Sequence, residues 1–272
     1  MDFRPLHRDL GVEVLGFDIA RDRDPATIAA LRAAHDRHAM LLFRGAARLS
    51  PERHAEIAGW FGPPGPVDNS GRGDFVTVLQ NSEPAGSFRL PFHSDQTYMD
   101  EPVAAICLQA IELPENPTST TFVSGAAVWR DLPGDMQERL SVLTLRHFYS
   151  SRMPGLDWPD FVAEHPVRLL HPRTGQPILF VTENHAQRIL ELGDAQSAAL
   201  IADLLERLYR PERRYEHVWQ TGDVLMWDNL VLQHARTQES DPGEGPRALQ
   251  RVALCSITLD EQIALARARS DA

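Results

Sequence analysis

Apolar positions along the chain change their period more than once. "GVEVLGFDIA" at 11–20 reads as a strand. Ile28, Leu31 and Ala34 then recur at helical spacing behind Asp24-Pro25, a cap residue followed by a proline suited to a first turn. "MLLF" at 40–43 is wholly apolar and predicts a strand buried on both faces. A second helix is expected from Ser50-Pro51, with Ile57 and Trp60 on its apolar side and a stop at Gly62-Pro63. Further on, strands dominate. They are expected at 74–80, 103–113, 119–124, 143–149, 165–170, 177–182, 214–219, 223–227, 230–235 and 247–258, with turn pairs such as Thr174-Gly175 and Gly222-Asp223 between them. One long helix interrupts this run at 194–209, with Asp194 as its cap and Leu200, Ile201, Leu204, Leu205 and Leu208 as its stripe.

Many short strands with few helices predict a mainly β fold with peripheral helices, built on a double-stranded β-helix (jelly-roll, cupin-like) core. The core is expected over about 74–260, behind a helix-and-strand flank of about 1–70. The whole of 1–272 reads as one domain, because no Ser/Gly-rich linker divides it.

Composition narrows the partners. The 272 residues carry a formal net charge of -11 with no Lys/Arg cluster, which argues against nucleic acid or an anionic membrane and leaves a small molecule as the expected ligand. "MDFRPLHRDLG" lacks the apolar run of a signal peptide, and no stretch is apolar enough to span a bilayer, so a cytoplasmic protein is expected, with a homo-oligomer compatible. Cys107 and Cys255 sit in apolar strand-like runs without metal-binding spacing and predict buried free thiols. Two long polar stretches, 66–74 and 81–91, have the length of binding loops.

The second of those stretches runs into "FHSDQTY", where His93 and Asp95 are two apart. In a strand, such residues project to one face and suit neighbouring ligands of one ion. His234, at the end of "GDVLMWDNLVLQHAR", supplies a third. Two histidines and one carboxylate make a triad that holds Fe(II) and leaves positions open. The same set would also suit a hydrolytic zinc ion.

The order H-x-D, then W-D-N ending in a histidine, then two arginines resembles the taurine dioxygenase family of Fe(II)/2-oxoglutarate-dependent oxygenases. "LRAAHDRHAMLLFRG", "HSDQTYMDEPVAAICLQAIELP" and "HPRTGQPILFVTE" extend the resemblance over most of the chain. It implies His93, Asp95 and His234 as metal ligands. It also implies oxidation, by default hydroxylation, of an unactivated C–H bond with release of succinate and CO2. O2 and 2-oxoglutarate are then the cosubstrates. Arg247 is the implied anchor for the distal carboxylate of 2-oxoglutarate, the role a guanidinium fork fills best. Thr120 is its implied hydroxyl partner, with Thr121 as the alternative, because "NPTSTTF" lacks the paired glycines of the family's turn.

Arg251, about 13 Å further along a strand from Arg247, is assigned with Arg89, Gln96 and Tyr98 to a small, anionic or amino-acid-like substrate. Trp227, Asp228 and Asn229 read as support orienting His234. The alternative is a jelly-roll protein that binds a small molecule, its metal site structural or vestigial.

Overall fold

The computed structural model describes residues 1–65, 75–82, 88–150, 158–239, 243 and 245–270. The expected loop at 66–74 and the middle of that at 81–91 lie outside the described residues. Strands in chain order are β1 (Asp2–Pro5), β2 (Val12–Leu15), β3 (Met40–Phe43), β4 (Thr77–Gln80), β5 (Leu90–His93), β6 (Ala105–Glu112), β7 (Ser119–Ser124) and β8 (Thr144–Tyr149). They continue as β9 (Phe161–Pro166), β10 (Arg168–Leu170), β11 (Pro177–Leu179), β12 (Ala186–Ile189), β13 (Tyr215–Val218), β14 (Val224–Asp228), β15 (Leu232–Arg236) and β16 (Ala248–Leu254). The helices are α1 (Pro25–His38), α2 (Pro51–Gly59), α3 (Gly125–Asp131), α4 (Gly134–Leu140), α5 (Asp194–Leu208) and α6 (Leu259–Ser270).

The strands form a seven-stranded sheet in the order β1-β2-β3-β14-β6-β16-β4 and a four-stranded sheet in the order β13-β7-β15-β5. Two smaller sheets, β12-β8-β9 and β10-β11, flank them. Within the large sheet the side chains follow the period of two. Leu41, Phe43, Cys107, Val224, Met226, Val252 and Leu254 pack with Leu31 of α1 and Ile57 of α2. Their neighbours Met40, Leu42, Ile106, Leu108, Leu225, Trp227, Leu249 and Ala253 face the other way, into a core shared with Phe122 and Leu232 of the four-stranded sheet. Each such side chain contributes about 1.5–3 kcal/mol on burial, so the two clusters fix the register of β16. Arg251, between Leu249 and Ala253 in parity, is thereby turned into the space between the sheets.

α1 and α2 begin as the sequence predicts. Asp24 and Ser50 cap them through bonds to the backbone N–H of Thr27 and Arg53. Elsewhere expectation and structure part. Asp194 is the first residue of α5 rather than its cap, which is Gly193. The strand expected at 165–170 breaks at Val167, whose wholly buried side chain joins a third core with α3 and α5, and the pieces β9 and β10 enter different sheets. The strand expected at 247–258 ends at Leu254, and the chain then turns into α6. Cys107 is a buried free thiol as expected, whereas Cys255 is half-buried.

Candidate metal centre

β5 and β15 pair at one edge of the four-stranded sheet, with His93 and His234 as register partners. Histidines far apart in sequence thus face each other across one ladder, their ring centroids 4.3 Å apart. Asp95 arrives differently from expectation. β5 stops at His93, and Asp95 sits in the turn that follows. Gln96, the next residue of that turn, adopts φ 60°, a left-handed conformation uncommon outside glycine.

Asp95 Oδ1 lies 3.3 Å from His93 Nε2 and 3.7 Å from His234 Nε2. Ligand atoms of the three side chains all fall within 4.8 Å of one another, and among the described residues no other His, Cys, Asp or Glu group does so. His93 Nδ1 is 2.8 Å from the Pro91 carbonyl oxygen, which can only accept, so Nδ1 carries the proton and Nε2 presents its lone pair. The donor set fits a divalent transition metal and leaves coordination positions open.

Charge in the cluster is arranged to suit. Burial pushes the Asp95 carboxyl up, but the His93 hydrogen bond and the Arg251 and His234 charges outweigh it, holding it well below the usual carboxylate range. Burial, with the His93 charge, pushes His234 down to about 3, which keeps its imidazole neutral. At His93 burial acts downward, yet the contact with Asp95 prevails and raises it. A bound dication takes the place of that proton.

The W-D-N stretch divides its labour in a way the sequence did not reveal. Asn229 holds Asp95. Its Oδ1 accepts from the Asp95 N–H at 2.9 Å, and its Nδ2 donates to the carbonyls of Asp95 at 3.1 Å and Val103 at 2.7 Å. Trp227 touches His234, ring to ring at 5.2 Å. Asp228 does not support His234. Its Oδ1 accepts from the N–H groups of Leu230 and Val231, shaping the turn into β15, and its Oδ2 accepts from His171 Nε2 at 2.8 Å. Replacing Asn229 by alanine is expected to weaken Mn(II) or Fe(II) binding about 10–100-fold, as loss of ligand-orienting bonds does. Metal titration checks this, and unchanged affinity would refute the clamp.

A cavity of about 240 Å³ adjoins the ligands and is lined by Thr120, Trp227, Arg236, Arg247 and Arg251 among others. Among the described residues Asp95 is the one carboxylate lining it, and its Oδ2 is taken by Arg251 Nη2 at 2.6 Å. Arg247 is 3% exposed. Among the described residues its Nε and Nη1, and Trp227 Nε1, have no hydrogen-bond partner. Burial and the Arg236 charge lower the Arg247 guanidinium to about 10, which leaves it cationic at neutral pH. Thr120 Oγ1 accepts from Trp219 Nε1 at 2.9 Å, so its own O–H is available to donate. Orphaned donors around a buried cation call for an anion.

Of the remaining candidates, Thr121 does not line the cavity and Arg89 is exposed outside it. Gln96 meets Gln262 of α6, whose Nε2 is 3.4 Å from its Oε1. Tyr98 stacks on Tyr149 at 4.6 Å and meets the edge of His185, a ring that itself lies 6.3 Å from His93. Arg236 went unassigned in the sequence reading. Its signal was its position two beyond His234, on the same face of β15.

Residues 2–253 match the family described as "Taurine catabolism dioxygenase TauD, TfdA family". The chain belongs to this family. Among curated TauD, TfdA relatives, the chain is 28% identical to an alpha-ketoglutarate-dependent sulfate ester dioxygenase of Pseudomonas putida, over 93% of this chain and 89% of that one. It is also 28% identical to an (S)-phenoxypropionate/alpha-ketoglutarate-dioxygenase of Sphingobium herbicidovorans, over 87% and 89%. A crystal structure of a taurine dioxygenase from Burkholderia xenovorans superposes with a TM-score of 0.80 at 26% identity, covering 94% of this chain and 91% of that one. The protein is therefore an alpha-ketoglutarate (2-oxoglutarate)-dependent dioxygenase that uses Fe(II) and acts on a small molecule. Non-catalytic binding, the alternative left by the sequence, is set aside. Among the described residues no helix is long and apolar enough to cross a membrane.

Proposed function

We propose that the enzyme hydroxylates an unactivated C–H bond of a small anionic or amino-acid-like metabolite, with His93, Asp95 and His234 holding the iron. The observation that carries this reading is the convergence of three ligand atoms within 4.8 Å beside a cavity lined by Arg247, two of whose buried guanidinium nitrogens lack a partner among the described residues. When bound, Fe(II) and 2-oxoglutarate supply the oxidation, with release of succinate and CO2.

The side chains have separate tasks. His93 and His234 present Nε2, and Asp95 presents Oδ1 while Arg251 occupies Oδ2. Arg247 and Thr120 take the distal carboxylate of 2-oxoglutarate by charge-assisted hydrogen bonds. Apolar lining from Leu79, Ile106, Leu108 and Leu249 excludes water and strengthens those bonds. Alternating strands in two large sheets, with the two histidine ligands paired across the smaller one, favour the jelly-roll core. The names of the sulfate-ester and phenoxypropionate relatives point to substrates that bear an anion, and a cavity lined by arginine suits such a molecule.

Anaerobic addition of Fe(II) and 2-oxoglutarate is expected to produce a weak visible charge-transfer band, absent in His234→Ala. In air, succinate should appear with a member of a panel of alkyl sulfates, phenoxyalkanoates and aminosulfonates. Absence of both band and succinate would refute the proposed site and substrate class.

A further inference from the structure

Of the two groups assigned to the distal carboxylate of 2-oxoglutarate, Arg247 donates from a rigid fork, whereas the Thr120 O–H rotates about its C–O bond unless something fixes it. On β7 Thr120 projects to the same side as Phe122, toward the core between the two large sheets, and it lines the cavity there. Trp219 lies in that core at 1% exposure, and its Nε1 donates to Thr120 Oγ1. A buried indole N–H left without an acceptor costs more than the bond is worth, so the contact persists whether or not the cavity is filled. With one lone pair engaged, the Thr120 hydrogen is left to point away from the indole.

The indole is itself held from behind. Trp219 follows β13, whose His217 is the register partner of Thr120. The wholly buried His217 ring meets the Trp219 ring nearly at right angles, their centroids 4.6 Å apart. His217 Nε2 lies 3.3 Å from Asp223 Oδ2, which also accepts from Arg44 Nη1 at 2.6 Å and from the Gln220 N–H at 2.9 Å. The Asp223 N–H returns to the Gln220 carbonyl at 2.9 Å and closes the turn beside the tryptophan.

We infer that Trp219 is a positioning residue for the cosubstrate: its indole N–H occupies one side of the Thr120 oxygen and so aims the hydroxyl at the distal carboxylate of 2-oxoglutarate before that carboxylate arrives. A donor already aimed gives up less freedom on binding than one that must be turned. The β-branch of threonine does not do this, since it restricts where the oxygen sits and not where the hydrogen points. The inference rests on the assignment of the distal carboxylate to Arg247 and Thr120 proposed above.

The test is calorimetric titration of the Mn(II)-loaded full chain with 2-oxoglutarate and with 2-oxopentanoate, in which a methyl replaces the distal carboxylate. Thr120→Val should weaken 2-oxoglutarate about 10–100-fold, the worth of a hydrogen bond to a charged group, and Trp219→Phe, which lacks the N–H, about 3–10-fold. Neither should move 2-oxopentanoate by more than about twofold. In the Thr120→Val background Trp219→Phe should cost 2-oxoglutarate no more than about a further twofold, because the indole then has no hydroxyl to aim. Thr120→Ser keeps the hydroxyl under the indole without the β-methyl. It should stay within about threefold of wild type, and it serves should Trp219→Phe fail to fold. The inference is overturned, and Trp219 reduced to packing, by any of four results: unchanged 2-oxoglutarate affinity in Trp219→Phe, equal weakening of both keto acids by it, fully multiplied losses in the double variant, or Thr120→Ser as weak as Thr120→Val. Unchanged 2-oxoglutarate affinity in Thr120→Val would instead remove the proposed Thr120 contact, and the inference with it.

Discussion

Asp95→Ala is expected to abolish succinate formation and to weaken Fe(II) binding by three orders of magnitude or more. Two losses combine. The first is the anionic ligand, whose Oδ1 sits 3.3 and 3.7 Å from the Nε2 atoms of His93 and His234. The second is electrostatic, because Oδ2 accepts from Arg251 Nη2 at 2.6 Å and the substitution leaves that guanidinium unpaired beside the metal position. Breaking a buried ion pair by removing one partner costs about 3–5 kcal/mol, and here the surviving cation also repels the incoming metal. Asp95→Asn separates the contributions, since it keeps the shape and the bond to Asn229 through the backbone but loses the charge. It should retain weak metal binding where the alanine variant has none. Fe(II) titration and succinate assay read both. Wild-type affinity in Asp95→Ala would mean that the metal is held elsewhere.

How much of this was legible in the sequence depends on whether a residue acts through side-chain type or through backbone geometry. His93 and His234 could be found by type and spacing, and the alternation of β3, β6, β14 and β16 could be read directly because their two faces pack against different cores. Asp95 was found for the wrong reason. H-x-D suggested a strand pleat, whereas β5 ends at His93 and Asp95 lies in the turn that follows. Asp228 was misassigned because W-D-N looks the same whether the aspartate orients a ligand or shapes a turn.

Other features left a signal that a neighbouring pattern masked. Thr258 and Glu261 form a reciprocal cap at the start of α6, the Thr258 N–H donating to the glutamate and the Glu261 N–H to the threonine hydroxyl. The apolar run from 247 drew the strand across that cap. α3 begins at Gly125 behind Ser124, whose hydroxyl accepts from the Ala127 N–H, and at seven residues it is too short for a helical period to emerge. Gly125 is required there, because a Cβ would lie 2.7 Å from the Leu179 carbonyl oxygen.

Arg247→Met is expected to separate stability from function in opposite directions. Arg247 is 3% exposed, its Nε and Nη1 lack partners among the described residues, and burial has lowered the guanidinium to about 10. Such a group destabilises the fold that holds it, and an apolar side chain of similar length removes that cost. The apo variant should therefore melt higher than wild type, by about 2–4 °C for each kcal/mol recovered in a chain near this size. Cosubstrate binding should move the other way. Loss of one partner of a buried, hydrogen-bonded charge pair costs about 2–5 kcal/mol, which corresponds to a 2-oxoglutarate Kd raised about 30- to 4000-fold. Addition of 2-oxoglutarate with Mn(II) should then raise the Tm of the wild type and leave that of the variant almost unmoved. Arg247→Lys should not restore binding, because an ammonium cannot supply the planar fork. A variant that melts lower than wild type yet still binds 2-oxoglutarate would make Arg247 a structural residue. A rise in apo stability joined to loss of the ligand-induced shift identifies the unpartnered guanidinium as a site held ready, at a cost to the fold, for the carboxylate it binds.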